Sequence, residues 1–306
     1  HRIAKHSQPP IIRMVLIYNK NDSHYYIFDV ICHTKNRKVE KNKEFKMTEC
    51  ATSIVTDELE VRYGNTIAVT AVNLEVPKGS LLSVIGPNGA GKSALLKALA
   101  GTIEVHSGKV EINGPSPSFV MQSTDVDSSL PISVRDVVSL SRYSNRGPFK
   151  RFRSEDHDAI NKAIERLNLT HLAKKQLHEI SGGERQRTLV AQGLAQESSV
   201  LLLDEPINGL DLVSRDIILE MITEEVALGR TVVITTHNLS DASRADQVLL
   251  LNNCPCCLGS PDEVLTESNL RVAFGDESVG SGTKIFLDDP HHSHASPHDE
   301  ERIRSF

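Results

Sequence analysis

Two clusters in this chain have residue types and spacings that act on phosphate. The first, GPNGAGKS (Gly86, Pro87, Asn88, Gly89, Ala90, Gly91, Lys92, Ser93), fits the pattern G-x-x-x-x-G-K-[ST]. Gly86, Gly89 and Gly91 let the backbone curl so that successive N–H groups face one anion, and a helix starting behind them adds its positive end. Lys92 then reaches the β- and γ-phosphates, and Ser93 offers a hydroxyl to Mg2+, a hard cation that prefers oxygen ligands. The second, VLLLDEP (200–206), is an apolar run that ends in two carboxylates. In an open α/β sheet that end is where ligands bind. Asp204 is placed to orient the Mg2+ shell. Glu205 is placed as general base on an attacking water, a role usually contributing roughly 10²–10⁴-fold.

A third motif, SGGERQR (181–187), has two readings. Ser181 with Glu184 three residues later describes a capping box, which explains the start of a helix. It does not explain Gly182 and Gly183 in the first turn, where each costs up to ~1 kcal/mol against alanine. Glycines at that place allow an anion to approach the helix N-terminus closely.

These residues need strands and helices to hold them. Residues 54–76 alternate apolar and polar around Gly64-Asn65, which predicts an antiparallel hairpin. Residues 81–85 form a short apolar run, the pattern of a buried central strand, and residues 92–100 read as a helix. Strand, glycine loop and helix is the context that a phosphate loop requires. Between 122 and 181 the spacing is mainly helical, at 134–140 and at Ala159, Ile160, Ala163, Ile164 and Leu167. That segment predicts a helical subdomain, about 123–185, inserted in the core. Residues 200–203, 231–234 and 248–251 read as core strands, with a helix over 213–227 after the first, so the sheet is expected to be largely parallel. Ser260-Pro261 opens a small helical element.

The ends read differently. Residues 1–46 hold ten Lys/Arg against four Asp/Glu and show no sustained period. They are taken as a basic extension outside the main domain, upstream of a natural start at Met47. A basic tail on anionic lipid and an extra strand are the alternatives. Residues 276–306 form an acidic, His-rich tail too poor in apolar residues to fold. The domain proper is therefore 47–275. Net charge −6 offers no broad basic surface, so no nucleic-acid partner is expected. No apolar run approaches the ~20 residues that span a bilayer. Five cysteines without a framework, and no apolar leader, point to a reducing cytoplasmic setting.

Tyr63, Gly86 to Ser93, Gln122, Ser181 to Gln186, 200–206, 208–211 and His237 resemble the nucleotide-binding domain of ABC transporters in kind, order and spacing, over roughly residues 52–275. The resemblance implies an α/β fold. Its parts would be a P-loop NTPase core with a mainly parallel sheet, an antiparallel β hairpin subdomain and an inserted helical subdomain. It also implies ATP and Mg2+ as ligands, and two such domains meeting head to tail around two ATP molecules. By position, Tyr63 resembles the aromatic that stacks on adenine. Gln122 resembles the residue that senses Mg2+ and couples to the membrane subunit. Ser181 and Gly183 would contact the γ-phosphate bound by the other protomer, with Gly182 between them. Asp211 resembles the aspartate that communicates across the dimer, and His237 the histidine that touches the γ-phosphate. Singly, Tyr63 is a hairpin aromatic, Gln122 a solvated loop residue, Asp211 a helix N-cap and His237 a capped strand end. Their shared order favours the functional reading.

The stretches PISVRDVVSLSRY (131–143) and 249–275 resemble the ATP-binding subunits of bacterial manganese, zinc and iron importers. Such subunits form homodimers on the cytoplasmic face of the membrane, beneath a permease that receives metal from an extracytoplasmic binding protein. Haem and siderophore importers use similar subunits. A soluble ABC ATPase would use the same site but commonly carries two cassettes or a coiled coil. A non-catalytic binding module is disfavoured by the presence of both Glu205 and His237. The chain departs from the family at Met121, where proline usually precedes the glutamine. It departs again at Cys254, Cys256 and Cys257, where a polar turn is usual. Pro255 restricts that backbone, and no fourth ligand is evident for a tetrahedral ion, so these thiols read as structural. In the tail, His291, His292, His294 and His298 with neighbouring carboxylates could hold Zn2+ or Mn2+ weakly, although a solvated tail is the commoner meaning of such a run.

Overall fold

The computed structural model describes residues 12–19, 24–31, 52–121, 131–146 and 151–275. The chain divides into two units, His1–Thr48 and Glu49–Phe306. In the first, β1 (Ile12–Asn19) and β2 (His24–Ile31) form an antiparallel ladder from Ile12↔Ile31 to Asn19↔His24. The sequence reading found no period here. Neither strand alternates strictly, and the available signal is its β-branched and aromatic content.

The second unit opens with β3 (Thr52–Tyr63) and β4 (Thr66–Pro77), joined at Gly64-Asn65 as the alternation predicts. A buried strand β5 (Leu81–Ile85) leads into the glycine loop and α1 (Lys92–Leu99). Two strands that the sequence did not announce follow. β6 (Ser107–Ile112) is mostly exposed and pairs antiparallel with β3, and β7 (Ser118–Val120) has only three residues. The helical segment contains α2 (Val134–Arg146), α3 (Ser154–Arg166) and two single turns at Thr170–Leu172 and Leu177–Glu179. Then α4 (Gly182–Ala195) leads back to the core strand β8 (Val200–Leu203), α5 (Leu212–Ala227) and β9 (Thr231–Thr236). A short α6 (Leu239–Ala242), the hairpin of β10 (Gln247–Asn252) and β11 (Cys254–Gly259), α7 (Pro261–Val264) and α8 (Glu267–Phe274) complete it.

The central sheet runs β11-β10-β5-β9-β8-β7, parallel throughout except for β11, beside a separate antiparallel sheet β4-β3-β6. Helices cover one face of the central sheet, and α1 with the antiparallel sheet covers the other. Alternate residues of each strand therefore enter different cores. Leu81, Ile85, Leu201, Leu203, Val232, Ile234, Val248 and Leu250 face the first. Leu82, Val84, Val200, Leu202, Val233, Leu249 and Leu251 face the second. Burial on both faces is why these strands read as continuous apolar runs, and each such side chain contributes about 1.5–3 kcal/mol.

A buried ion pair fastens the helical segment. The Arg142 guanidinium on α2 donates to Asp156 Oδ1 on α3 at 2.8–2.9 Å, to the Ala195 carbonyl that ends α4 at 2.9 Å, and to Glu197 at 2.9 Å. Asp156 is fully buried and also accepts the Arg153 N–H at 2.8 Å, ahead of α3. One guanidinium thus joins three helices. Asp156→Ala removes the buried partner of this cation, leaving only the exposed Glu197, and is expected to cost about 3 kcal/mol, read as a lowered urea midpoint.

Candidate functional site

The glycine loop is wedged between two strands. At Gly86 an added Cβ would collide with the Leu251 carbonyl of β10, and at Gly91, in the left-handed region at φ 92°, with the Ala68 carbonyl of β4. From the side, Asn253 in the β10–β11 turn holds the loop. Its N–H donates to the Ala90 carbonyl at 2.9 Å and its Nδ2 to the Gly89 carbonyl at 3.2 Å. Nδ2 also reaches the Ala68 carbonyl at 3.0 Å, and the Asn253 carbonyl accepts the Thr70 N–H at 2.8 Å. Two loop carbonyls are thereby engaged away from any ligand. The N-terminus of α1 has no side-chain cap, unlike those of α4 and α5, and, unlike α4, no acidic residue in its first turn. Its free N–H groups and dipole suit an anion.

Lys92 is buried, and its Nζ donates to the Gly86 and Pro87 carbonyls at 2.8 and 3.1 Å. Burial pushes its pKa down, while the Glu205 and Asp204 carboxylates oppose that shift. The lysine charge, the loop and both predicted carboxylates therefore belong to one electrostatic site. Ser93 is exposed beside it.

The carboxylates are fixed by a residue the sequence reading missed. Thr235 Oγ1 donates to Asp204 Oδ1 at 2.7 Å and accepts the Glu205 N–H at 2.7 Å. Asp204 is buried, and its N–H donates to the Val120 carbonyl of β7 at 2.9 Å. Glu205 sits in the left-handed region at φ 46°, and Oε2 accepts from Asn208 Nδ2 at 2.9 Å. In the parallel register Leu203 faces Ile234, so the next residues on both strands become neighbours. That pairing, applied to the TT before His237, was the available signal. His237 leaves β9 half-buried and shares with Glu205, Asn208, Gly209 and Thr235 a cavity of about 160 Å3. Arg215 of α5 pairs with the buried Asp241 of α6 at 2.5 Å across the same cavity.

The remaining predicted residues form a second locus. Ser181 caps α4, accepting the Glu184 N–H at 3.2 Å, while Glu184 accepts the Ser181 N–H at 2.7 Å. Gly182 faces open space, but a Cβ on Gly183 would lie 2.5 Å from Ser214 Oγ and 2.6 Å from Asp211 Oδ2. A side chain at the second glycine would have to push aside the cap at the start of α5, and the glycine is also suited to an anion. Asp211 caps α5, accepting the Ser214 N–H at 2.9 Å. The capping readings of Ser181 and Asp211 both hold. Hydrogen bonds from Ser214 and from Ser181 keep the Asp211 and Glu184 carboxyls below their ordinary range. With folded values depressed, these caps are at full strength above the unfolded carboxylate pKa and are lost as pH falls through the folded one. Tyr63 ends β3 and is 51% exposed. Gln122 and His291, His292, His294 and His298 lie outside the described residues.

Thr235→Val preserves side-chain volume but removes the donor to Asp204 and the acceptor for Glu205. A loss of about 1–3 kcal/mol is expected in chemical denaturation, while Thr236→Val, which removes only a bond to the Asn238 N–H, is expected to cost less.

Known proteins share this arrangement. The family model described as "ABC transporter" matches residues 69–208. The chain is 34% identical over 233 residues to the "Chelated iron transport system membrane protein YfeB" of Yersinia pestis, covering 72% of this chain and 79% of that protein. It is 33% identical over 229 residues to the "Manganese transport system ATP-binding protein MntB" of Listeria innocua, covering 72% of this chain and 95% of that one. A solved metal-chelate type ABC transporter in an inward-facing conformation superposes with a TM-score of 0.66 at 35% identity, over 73% of this chain and 88% of that one. Relatives at 33–34% identity over 72% of its length, together with the family match over 69–208, show that the chain belongs to the ABC transporter family, as an ATP-binding subunit.

Proposed function

We propose that this subunit hydrolyses ATP to drive import of a transition-metal ion, manganese, zinc or iron, through a separate membrane permease. The observation that carries the reading is that the register of the parallel strands β5, β9 and β8 brings the glycine loop with Lys92 and the Asp204-Glu205 pair to the same carboxyl end of the sheet. The metal cargo rests on the relatives, whose names specify manganese and chelated iron systems. Haem or siderophore is the second reading.

The loop N–H groups and Lys92 hold the β- and γ-phosphates, and Tyr63, exposed at the hairpin end, stacks on adenine. Ser93 and Asp204, with Gln122, supply the hard oxygen donors that suit Mg2+. When bound, Mg2+ neutralises phosphate charge. Glu205 takes the proton of the attacking water, and Thr235 keeps its backbone in place. His237 lies across the cavity to meet the γ-phosphate.

Exposed Ser181 and Gly182 suit a head-to-tail second copy whose ATP they would complete. Leu212 and Val213, 73% and 67% exposed beside them, favour its being covered. Exposed Met121, Leu140 and Tyr143 offer apolar surface to the permease. No helix among the described residues is long and apolar enough to cross a membrane. On this reading the permease holds the subunit on the cytoplasmic face. An extracytoplasmic metal-binding protein delivers the cargo to it, and the tail histidines act as a weak cytoplasmic metal buffer.

Glu205→Gln is expected to bind ATP with near-native affinity while turnover falls roughly 10²–10⁴-fold. In cells starved of metals, elemental mass spectrometry should then show a selective fall in one of manganese, zinc or iron. Unchanged metal content despite lost turnover would reject metal import and favour the haem or siderophore reading. Lys92→Ala should abolish ATP binding itself, read by calorimetry.

A further inference from the structure

The hairpin that holds the phosphate loop also carries three thiols that hydrolysis does not use. Cys254 and Cys256 are exposed, and Cys257 is half-buried, receiving the Asn269 Nδ2–H at 3.8 Å. The β10–β11 ladder slips between Leu250, which faces Cys257, and Leu251, which faces Pro255. Cys256 is therefore the extra residue of a bulge, which bends the strand locally. Its Sγ donates to the Cys254 carbonyl at 3.9 Å, so this thiol lies back against the turn. Burial and the neighbouring Cys254 and Cys257 sulfurs push its pKa up, against a hydrogen bond from the Asn252 backbone. Two exposed thiols thus stand one residue apart, directly after the asparagine that binds the carbonyls of Gly89, Ala90 and Ala68.

We propose that Cys254 and Cys256 together bind a soft, thiol-seeking metal ion, and that the bound ion draws Asn253 off the phosphate loop and so weakens nucleotide binding. This regulation rests on the nucleotide site proposed above. Soft thiolates select ions such as copper(I). Among the described residues no cluster of three or more His, Cys, Asp or Glu could hold a metal ion. An ion held by Cys254 and Cys256 alone would have to be one content with two sulfurs, not one demanding four ligands. Each thiol releases its proton to solvent as its sulfur–metal bond forms, and no electron is transferred. Drawing both sulfurs to one centre reshapes the bulge and the turn before it. On this proposal the change breaks at least one of the bonds that Asn253, left-handed at φ 59°, makes with Ala68, Gly89, Ala90 and Thr70.

The test is MgATP affinity of the full reduced chain by calorimetry, with and without one equivalent of chelator-buffered copper(I). The expected result is one ion bound per chain and MgATP binding weakened roughly tenfold, the order of one lost hydrogen bond. Cys254→Ser with Cys256→Ser, retaining Cys32, Cys50 and Cys257, should bind MgATP normally and lose the copper response. Asn253→Ala should reproduce the weakened affinity without metal. Copper binding that leaves MgATP affinity unchanged overturns the proposal, as does a copper effect that persists in the double serine variant. A native chain that binds no MgATP in metal-free buffer overturns the nucleotide reading itself.

Discussion

The site depends on how closely backbone can pass backbone at the glycine loop. A side chain at position 86 would strike the Leu251 carbonyl, and one at 91 would strike that of Ala68. Only where two strands approach the loop this closely can Asn253 reach across and bind the carbonyls of Gly89 and Ala90. Those bonds matter because a loop carbonyl turned toward a phosphate would repel it. The α1 N-terminus completes the effect by leaving its own donors uncapped, where every neighbouring helix of the site carries a side-chain cap.

A second constraint couples the chemistry to the sheet. Thr235 is one hydroxyl used twice, as donor to the buried Asp204 and as acceptor for the strained Glu205 backbone. The two carboxylates are consecutive in sequence but differ in environment, one buried and gripped, the other half-exposed and held by Asn208. This division suits a fixed metal-orienting group and a proton-accepting one. The Arg215–Asp241 pair then joins the helix after Asp211 to the helix after His237, so the two loops at the rim of the cavity are mechanically linked.

Much of this was legible in advance because local rules sufficed. The hairpin turn at Gly64-Asn65, the buried run before the glycine loop, the helix starting at Lys92 and the core strands at 200–203 and 248–251 each follow from period, composition or turn chemistry over a few residues. What escaped was short, exposed or paired at a distance. β7 has three residues, too few to display a period, and β6 is mostly exposed, with apolar residues only at its inner positions. β1 and β2 do not alternate, so a test for period passes over them.

The residue types and order of the phosphate loop, the carboxylate strand and the capped glycine helix were determined by sequence alone, because each motif performs its chemistry with neighbouring residues of one segment. Which distant groups complete them was decided only by the tertiary structure. Thr235 meets Asp204 through the register of parallel strands 31 residues apart, and Asn253 meets the glycine loop from 164 residues away. Gly183 owes part of its identity to Asp211 and Ser214, which fold against it from another helix. Such pairings leave no local pattern, since the free energy that selects them comes from burying whole strands and helices together.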